Sequence, residues 1–172
     1  MDEVGSAPGG RGSPSLVEVI RAGPDDARVL TRIAFAAKRH WGYPERWIEH
    51  WADGLTVAPE FVRNNEVYAA TAGARPGGFY ALVGEVPDVE LEHLWVLPES
   101  MGAGGGRLLF EHALLRAASL GAETVQLEAD PNAEGFYLRM GAERVGENVY
   151  EIEGQRRVLP LMAVTCAGPF ST

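Results

Sequence analysis

The pattern of apolar and polar positions divides the chain into alternating helix-like and strand-like segments. Behind the acidic start Pro24-Asp25-Asp26, apolar residues recur at the helical period at Val29, Leu30, Ile33, Ala34 and Ala37. A second helical stripe ends at Gly121 and places on one face Leu109, Phe110, Ala113, Leu114, Ala117 and Ala118. Apolar or alternating runs predict strands within 16–22, 67–71, 79–84, 89–97, 124–129, 143–152 and 157–165.

Breakers and turn residues separate these segments. Residues 40–44 (HWGYP) end the first helix, and the apolar face of a second helix follows with Trp47, Ile48 and Trp51. Gly73 together with Arg75-Pro76-Gly77-Gly78 predicts a hairpin turn. Asp130-Pro131 begins a short helix that ends at Gly141, the usual placing of proline early and glycine late.

The resulting order is strand, two or three helices, three strands, helix, strand, helix and two strands. This order predicts one mixed α/β domain over residues 15–167. Residues 1–14 are rich in breakers and are expected to form a flexible leader, and 168–172 a short tail.

Composition and charge narrow the classes of partner. The net charge of −9 and pI near 4.9 argue against nucleic acid and favour cationic small molecules. No segment resembles a signal peptide or the roughly 18 apolar residues of a membrane helix, so a cytoplasmic protein is expected. Cys166 is the only cysteine, and the four histidines lack metal-ligand spacing, so neither a disulfide nor a metal site is expected. Lys38, the only lysine, suggests no function by itself.

A glycine-rich loop lies between a predicted strand and a predicted helix, from Pro98 to Gly106. Backbone without side chains can approach a ligand closely, and the free N–H groups of a helix N-terminus attract phosphate. A dinucleotide fingerprint starting at Gly102 would need glycine in place of Arg107, and no P-loop Lys-Ser/Thr follows the glycines. A simple glycine-rich turn is the alternative to an anion site.

Two motifs resemble the GNAT acetyltransferase superfamily. Val96-x-Pro98-x-x-Met101-x-x-Gly104-x-Gly106 resembles its acetyl-CoA-binding loop, with Met101 replacing a polar residue. Asp130-x-x-Ala133-x-x-Phe136-Tyr137-x-x-x-Gly141 resembles a second family segment, with Asp130 replacing asparagine and Ala142 replacing phenylalanine. The two motifs occur in the family's order and separation.

The resemblance implies a mixed, mostly antiparallel central sheet flanked by helices, and acetyl-CoA as co-substrate. In the family, backbone N–H groups hold the pyrophosphate, and the strand near Val96 splays from its neighbour to pair with the pantetheine arm and polarise the thioester. The implied cofactor-binding residues are Leu94, Trp95, Val96, Met101, Gly102, Ala103, Gly104, Gly105, Gly106, Arg107, Asp130, Asn132, Phe136 and Tyr137.

Three residues are candidates for the chemistry of acetyl transfer. Strand alternation predicts that Glu90, Glu92, Leu94 and Val96 share one face, which puts two carboxylates about 6.6 Å apart. Glu90 is the first choice of base, because it lies six residues before Val96, where the histone-acetylating branch of the family carries its glutamate. Glu92 is the second choice, and two solvent-facing glutamates are the alternative. Tyr137 matches the family tyrosine that protonates the coenzyme A sulfur; an ordinary buried aromatic is its alternative.

The acceptor is expected to be a small-molecule amine. Trp41 and Tyr43, in the break between two helices, are candidate acceptor-binding residues together with Glu92, since aromatic faces and carboxylates attract ammonium groups. The competing interpretations are a protein or peptide amine as acceptor and a non-catalytic acyl-CoA-binding module. A homodimer and longer acyl groups are both compatible with the sequence.

Overall fold

The computed structural model describes residue 16 and residues 18–166; the predicted leader and tail lie outside them. The strands are β1 Glu18–Arg21, β2 Glu66–Ala72, β3 Arg75–Glu85, β4 Asp88–Val96, β5 Thr124–Glu128, β6 Glu143–Ile152 and β7 Gln155–Thr165. The helices are α1 Ala27–His40, α2 Glu45–His50, α3 Ala52–Leu55, α4 Pro59–Asn64, α5 Gly105–Leu120 and α6 Glu134–Arg139. Short 3₁₀ turns occupy Pro24–Asp26, Pro98–Ser100 and Pro131–Ala133.

The seven strands form one open sheet in the order β1-β2-β3-β4-β5-β7-β6. Only the β4–β5 pair is parallel; every other pair is antiparallel. One core packs α5 and Tyr137 of α6 against one sheet face, and the other packs α1, α2 and the segment around Val62 against the opposite face. This architecture confirms the predicted single mixed sheet flanked by helices.

Both predicted helical stripes pack against the core, with Val29, Leu114 and Ala118 only partly buried. In α1 the buried apolar residues are Ala27, Leu30, Ile33, Ala34 and Ala37. Helix α5 begins after Gly104 and ends before Gly121, and both glycines have positive φ, of 82° and 97°. Glycine therefore sets both ends of this helix, because other residues enter the left-handed region only with strain.

The predicted turn at 75–78 is wrong, because these residues belong to β3. The turn is shorter and contains Gly73, whose φ is 64°. The glycines of β3 serve packing instead: a Cβ added to Gly78 would lie 2.9 Å from Leu109 Cδ1, and one added to Gly77 would lie 2.6 Å from Leu16 Cδ2. Close approach of α5 to Gly78 and of Leu16 to Gly77 therefore explains glycines that resemble a turn in the sequence.

A bulge at Glu92 changes the alternation of β4. Leu91 pairs with Leu82 and His93 with the adjacent Ala81, so Glu92 has no partner of its own on β3. Because of the extra residue, odd-numbered side chains face the α5 side of the sheet before the bulge, and even-numbered side chains face that side after it. Leu91, Leu94 and Val96 pack on the α5 side of the sheet, whereas His93 and Trp95 contact the α1 side. The prediction that Glu90, Glu92, Leu94 and Val96 share one face is therefore wrong.

The parallel strands β4 and β5 pair only at their first residues. The register joins Asp88–Glu90 to Thr124–Gln126 and goes no further, although both described strands continue. Beyond Glu90 the strands diverge, which leaves the β5-facing backbone groups of 91–96 without a strand partner. Backbone groups in this position are available to a ligand.

Candidate active site

The glycine loop and the start of α5 form one wall of a cavity of ≈ 470 Å³, which we call the glycine cavity. The predicted cofactor residues that line it are Leu94, Val96, Met101, Gly102, Gly104, Gly105, Gly106, Arg107, Asn132, Phe136 and Tyr137. Trp95 and Asp130 line a neighbouring cavity instead, and Ala103 lines neither. Sequence reasoning missed Arg139, a second arginine on the wall.

The geometry of the loop suits a phosphate group. Gly102 and Gly104 have φ values of 79° and 82°, and a Cβ on either would meet no atom within 4 Å, so their backbone is open to the cavity. Helix α5 has 16 residues, and its N-terminal N–H groups carry partial positive charge. Arg107 and Arg139 add cationic side chains to the same wall. The residues present therefore fit a pyrophosphate.

A smaller cavity of ≈ 120 Å³, the central cavity, lies where β4 and β5 diverge. Glu92 and Tyr137 both line it, together with Trp41, Trp95 and Glu128. It shares with the glycine cavity the residues Trp41, Leu94, Val96, Met101, Ala133 and Tyr137, so the two spaces adjoin. Glu90 and Glu92 are both exposed residues, but Glu90 does not line either cavity.

The surroundings of Glu92 and Tyr137 in the central cavity raise the pKa of both side chains. Burial raises the pKa of Glu92, and the nearby charges of Glu90 and Glu128 raise it further. The pKa of Tyr137 is also raised, chiefly by burial and then by the charge of Asp130, so its phenol stays protonated. Phe110 and Phe136 pack edge-on against the Tyr137 ring, at centroid distances of 5.5 and 5.2 Å, and fix its position.

Asp130 is the centre of a polar cluster. Its Oδ2 accepts from Lys38 Nζ at 2.7 Å, and its Oδ1 accepts from the backbone N–H of Asn132 at 2.9 Å. The Tyr43 hydroxyl donates to the same carboxylate at 3.0 Å, and Arg157 Nη2 lies 3.8 Å from Oδ2. Burial alone would raise the pKa of Asp130, but Lys38 and these hydrogen bonds lower it below its usual value. The carboxylate predicted to contact the cofactor is thus occupied within the protein.

Tyr43 also belongs to this cluster. Its ring stacks on Trp47 at 6.1 Å and meets Trp51 edge-on at 5.1 Å, and its hydroxyl accepts from Asn132 Nδ2 at 3.0 Å. Tyr43 lines neither the glycine cavity nor the central cavity, whereas Trp41 lines both. The structure therefore places Trp41 and Glu92 in the same cavity, and it places Tyr43 outside that cavity, in the polar cluster around Asp130.

A third cavity of ≈ 480 Å³, the Arg157 cavity, opens on the other side of Glu128. It is lined by Lys38, His50, Trp51, Gly54, Leu55, Glu128, Tyr150, Glu151, Ile152, Arg157 and Leu159. Glu128 lines this cavity and the central cavity, and its Oε2 accepts from Asn148 at 2.6 Å and Tyr150 at 2.7 Å. Sequence reasoning missed Lys38, Glu128 and Arg157, because no motif marks them.

Within residue 16 and residues 18–166, no group of three or more histidine, cysteine, aspartate or glutamate side chains is arranged to hold a metal ion. None of the helices in the same part of the chain is long and apolar enough to cross a membrane.

Comparisons with known proteins identify the family of the chain. The family model described as an acetyltransferase (GNAT) domain matches residues 45–158. Over 111 residues, the chain is 33% identical to the peptidyl-lysine N-acetyltransferase YjaB of Salmonella typhimurium, covering 64% of this chain and 67% of that protein.

Solved structures share the fold. A GCN5-related N-acetyltransferase from Rhodopseudomonas palustris matches with a TM-score of 0.72 and 23% identity, covering 86% of this chain and 94% of that one. The PaiA N-acetyltransferase from Thermoplasma acidophilum, solved in complex with coenzyme A, matches with a TM-score of 0.66 and 21% identity, covering 86% and 98%.

Fold and family model together define the class of the protein as an acyltransferase. The chain belongs to the GNAT acetyltransferase family.

Proposed function

We propose that this acetyltransferase moves an acetyl group directly from acetyl-CoA to the amine of a small molecule. The observation that carries the proposal is that Glu92 and Tyr137, candidates for base and acid, line one central cavity. That cavity adjoins the glycine cavity through six shared residues and the Arg157 cavity through Glu128. In this proposal acetyl-CoA approaches the central cavity through the glycine cavity, and the amine approaches it through the Arg157 cavity.

The glycine cavity would hold coenzyme A. Backbone N–H groups at the start of α5 face its pyrophosphate, with Arg107 and Arg139 beside them. Leu94 and Val96 line the channel towards the central cavity, and the diverging edge of β4 offers backbone groups to the pantetheine arm. Acetyl-CoA supplies the thioester on which the amine acts.

Glu92 is the base that we propose, in preference to Glu90. The acceptor amine is cationic at neutral pH and must lose a proton before its nitrogen can attack the thioester. Glu92 lies in the central cavity at the β4 bulge, and its raised pKa makes it a better proton acceptor than an ordinary glutamate. Glu90 does not line that cavity and contributes mainly its charge.

Tyr137 is the acid that we propose. As the N–C bond forms and the C–S bond breaks, the departing sulfur needs a proton. The ring of Tyr137 is only 7% exposed, and the residue lines both the glycine and central cavities. The raised pKa keeps the phenol protonated at neutral pH but makes it a weaker acid, so we propose that its proton moves to the sulfur as the C–S bond breaks.

A lysine side chain of a protein is the second candidate acceptor. The YjaB relative, 33% identical, is named as a peptidyl-lysine N-acetyltransferase, and this favours that alternative. The Arg157 cavity favours a small molecule, because a space of ≈ 480 Å³ lined by the buried cations Lys38 and Arg157 suits a small ligand.

The proposal is tested by measuring free thiol released from acetyl-CoA with polyamines, aminoglycosides, amino acids and lysine peptides, and by mass spectrometry of the products. We expect release with at least one small amine and one added acetyl group on its nitrogen. Tight binding of acetyl-CoA without transfer to any amine would instead identify a binding module. Transfer to peptides alone would identify a protein acetyltransferase.

A further inference from the structure

The Arg157 cavity contains two cations that share one carboxylate. Lys38 Nζ lies 2.7 Å from Asp130 Oδ2, and the two side chains are 11% and 9% exposed. Arg157 Nη2 lies 3.8 Å from the same oxygen, beyond hydrogen-bond range, and its side chain is 12% exposed. The cluster of Lys38, Asp130 and Arg157 therefore carries one net positive charge at the cavity wall.

The guanidinium of Arg157 is held in place by aromatic rings. Its Cζ lies 4.9 Å from the centroid of Tyr43, 4.8 Å from that of Trp51 and 5.9 Å from that of Trp47. These contacts, together with the nearby Tyr43 hydroxyl and Asp130 carboxylate, fix the position of the group. A guanidinium has five N–H donors in a fork that matches a carboxylate. Arg157 is thus a preorganised cation on the wall of a cavity.

The opposite charge lies towards the reaction centre. Glu128 lines both the Arg157 cavity and the central cavity, and its charge acts on Glu92. Asn148 and Tyr150 hold the Glu128 carboxylate from one side. Apolar atoms of Trp51, Leu55 and Leu159 also line this cavity. The cavity therefore combines a buried cation, carboxylates and apolar surface, which suits a molecule that carries both an ammonium group and an anion.

We infer that the acceptor is a free amino acid or a close analogue, and that Arg157 determines this specificity by binding its carboxylate. The inference rests on the proposed function and narrows its substrate class. A monoanion matches the single net charge of the Lys38–Asp130–Arg157 cluster, whereas the charge of a phosphate dianion would exceed it and would also be repelled by Glu128 and Glu151 in the same cavity. The amine then lies beside Glu128 and Glu92, where it loses its proton.

The test compares amines that differ only in the carboxylate. Thiol release is measured with an amino acid, its carboxamide and its decarboxylated amine, and with the same residue inside a peptide. We expect wild-type kcat/KM to favour the free acid by at least about tenfold, the effect of one charged hydrogen bond. Arg157→Gln should remove that preference by raising KM for the acid alone. Arg156→Gln, at an exposed neighbouring arginine, should keep it.

Two outcomes overturn the inference. Equal use of the acid and its carboxamide by the wild type, or an equal loss on both in Arg157→Gln, would exclude a carboxylate site while leaving amine acetylation intact. Failure to acetylate any amine would overturn the proposed function as well.

Binding of acetyl-CoA with unchanged Kd shows that a variant is folded. Should Arg157→Gln not fold, Arg157→Lys keeps the charge without the fork and should show a reduced preference.

Discussion

Lys38 and Asp130 form a buried ion pair at 2.7 Å between positions 92 residues apart. The pair joins α1 to the loop that begins the Tyr137 segment. Both of these elements contribute residues to the wall of the central cavity. The only lysine of the chain thus has a structural role that its sequence context does not indicate.

Removing this lysine should destabilise the protein. Lys38→Met leaves the Asp130 carboxylate buried with Arg157 at 3.8 Å, and we expect the free energy of unfolding to fall by about 3 kcal/mol. Arg39→Met is the matched control, because Arg39 pairs with Glu45 at the same 2.7 Å but in solvent, and it should leave stability nearly unchanged. Urea denaturation measures both; equal losses would contradict the account.

The two glutamates of β4 should differ in their effect on turnover. Glu92→Gln removes the proposed base and should lower kcat by about 10²–10⁴, whereas Glu90→Gln should stay within a few-fold of wild type. Steady-state thiol release measures both variants. The opposite ranking would make Glu90 the base.

The pH dependence of Glu92 provides a second, independent readout. Because its folded pKa is raised, the group is protonated at pH values where the unfolded chain is already ionised, so its contribution to stability is lost as pH rises above its ordinary pKa. Glu92→Gln should therefore raise Tm at neutral pH and have no such effect at pH 4. A gain of the same size at both pH values would argue against a raised pKa.

His93 should make the protein sensitive to acid. Burial lowers its pKa to about 4, and its neutral Nδ1 accepts from Trp95 Nε1 at 3.0 Å. The unfolded histidine binds a proton below about 6.5, so stability is lost as pH falls from there towards 4, by up to about 3 kcal/mol. His93→Gln cannot titrate and should lose correspondingly less over this range in urea titrations. Parallel pH curves for the two proteins would contradict the prediction.

Two glycines with positive φ allow strain to be separated from cofactor binding. Gly104→Ala and Gly121→Ala both force alanine into the left-handed region, at 82° and 97°, and neither added Cβ meets an atom within 4 Å. Each should cost about 1–2 kcal/mol of stability. Only Gly104 lines the glycine cavity, so only Gly104→Ala should raise KM for acetyl-CoA. Similar KM increases in both would remove the loop's assigned role.

Local features of the fold could be predicted from the sequence, because each depends on neighbours in the chain. The stripes of α1 and α5 and the segment containing Tyr137 follow from periodicity and spacing. The bulge at Glu92 could not be predicted, since it depends on how β4 pairs with β3. The contacts of Asp130 could not be predicted either, because its partners Lys38 and Arg157 come from distant elements with no motif of their own.

The most direct test of the account is the turnover of Tyr137→Phe with acetyl-CoA and the best amine. The substitution keeps the packed ring and removes the hydroxyl that we propose protonates the departing sulfur. We expect kcat to fall by about 10²–10⁴ with an unchanged Kd for acetyl-CoA, while Tyr68→Phe, stacked on Tyr80 away from the three cavities, stays at the wild-type rate. A wild-type kcat in Tyr137→Phe would contradict the account.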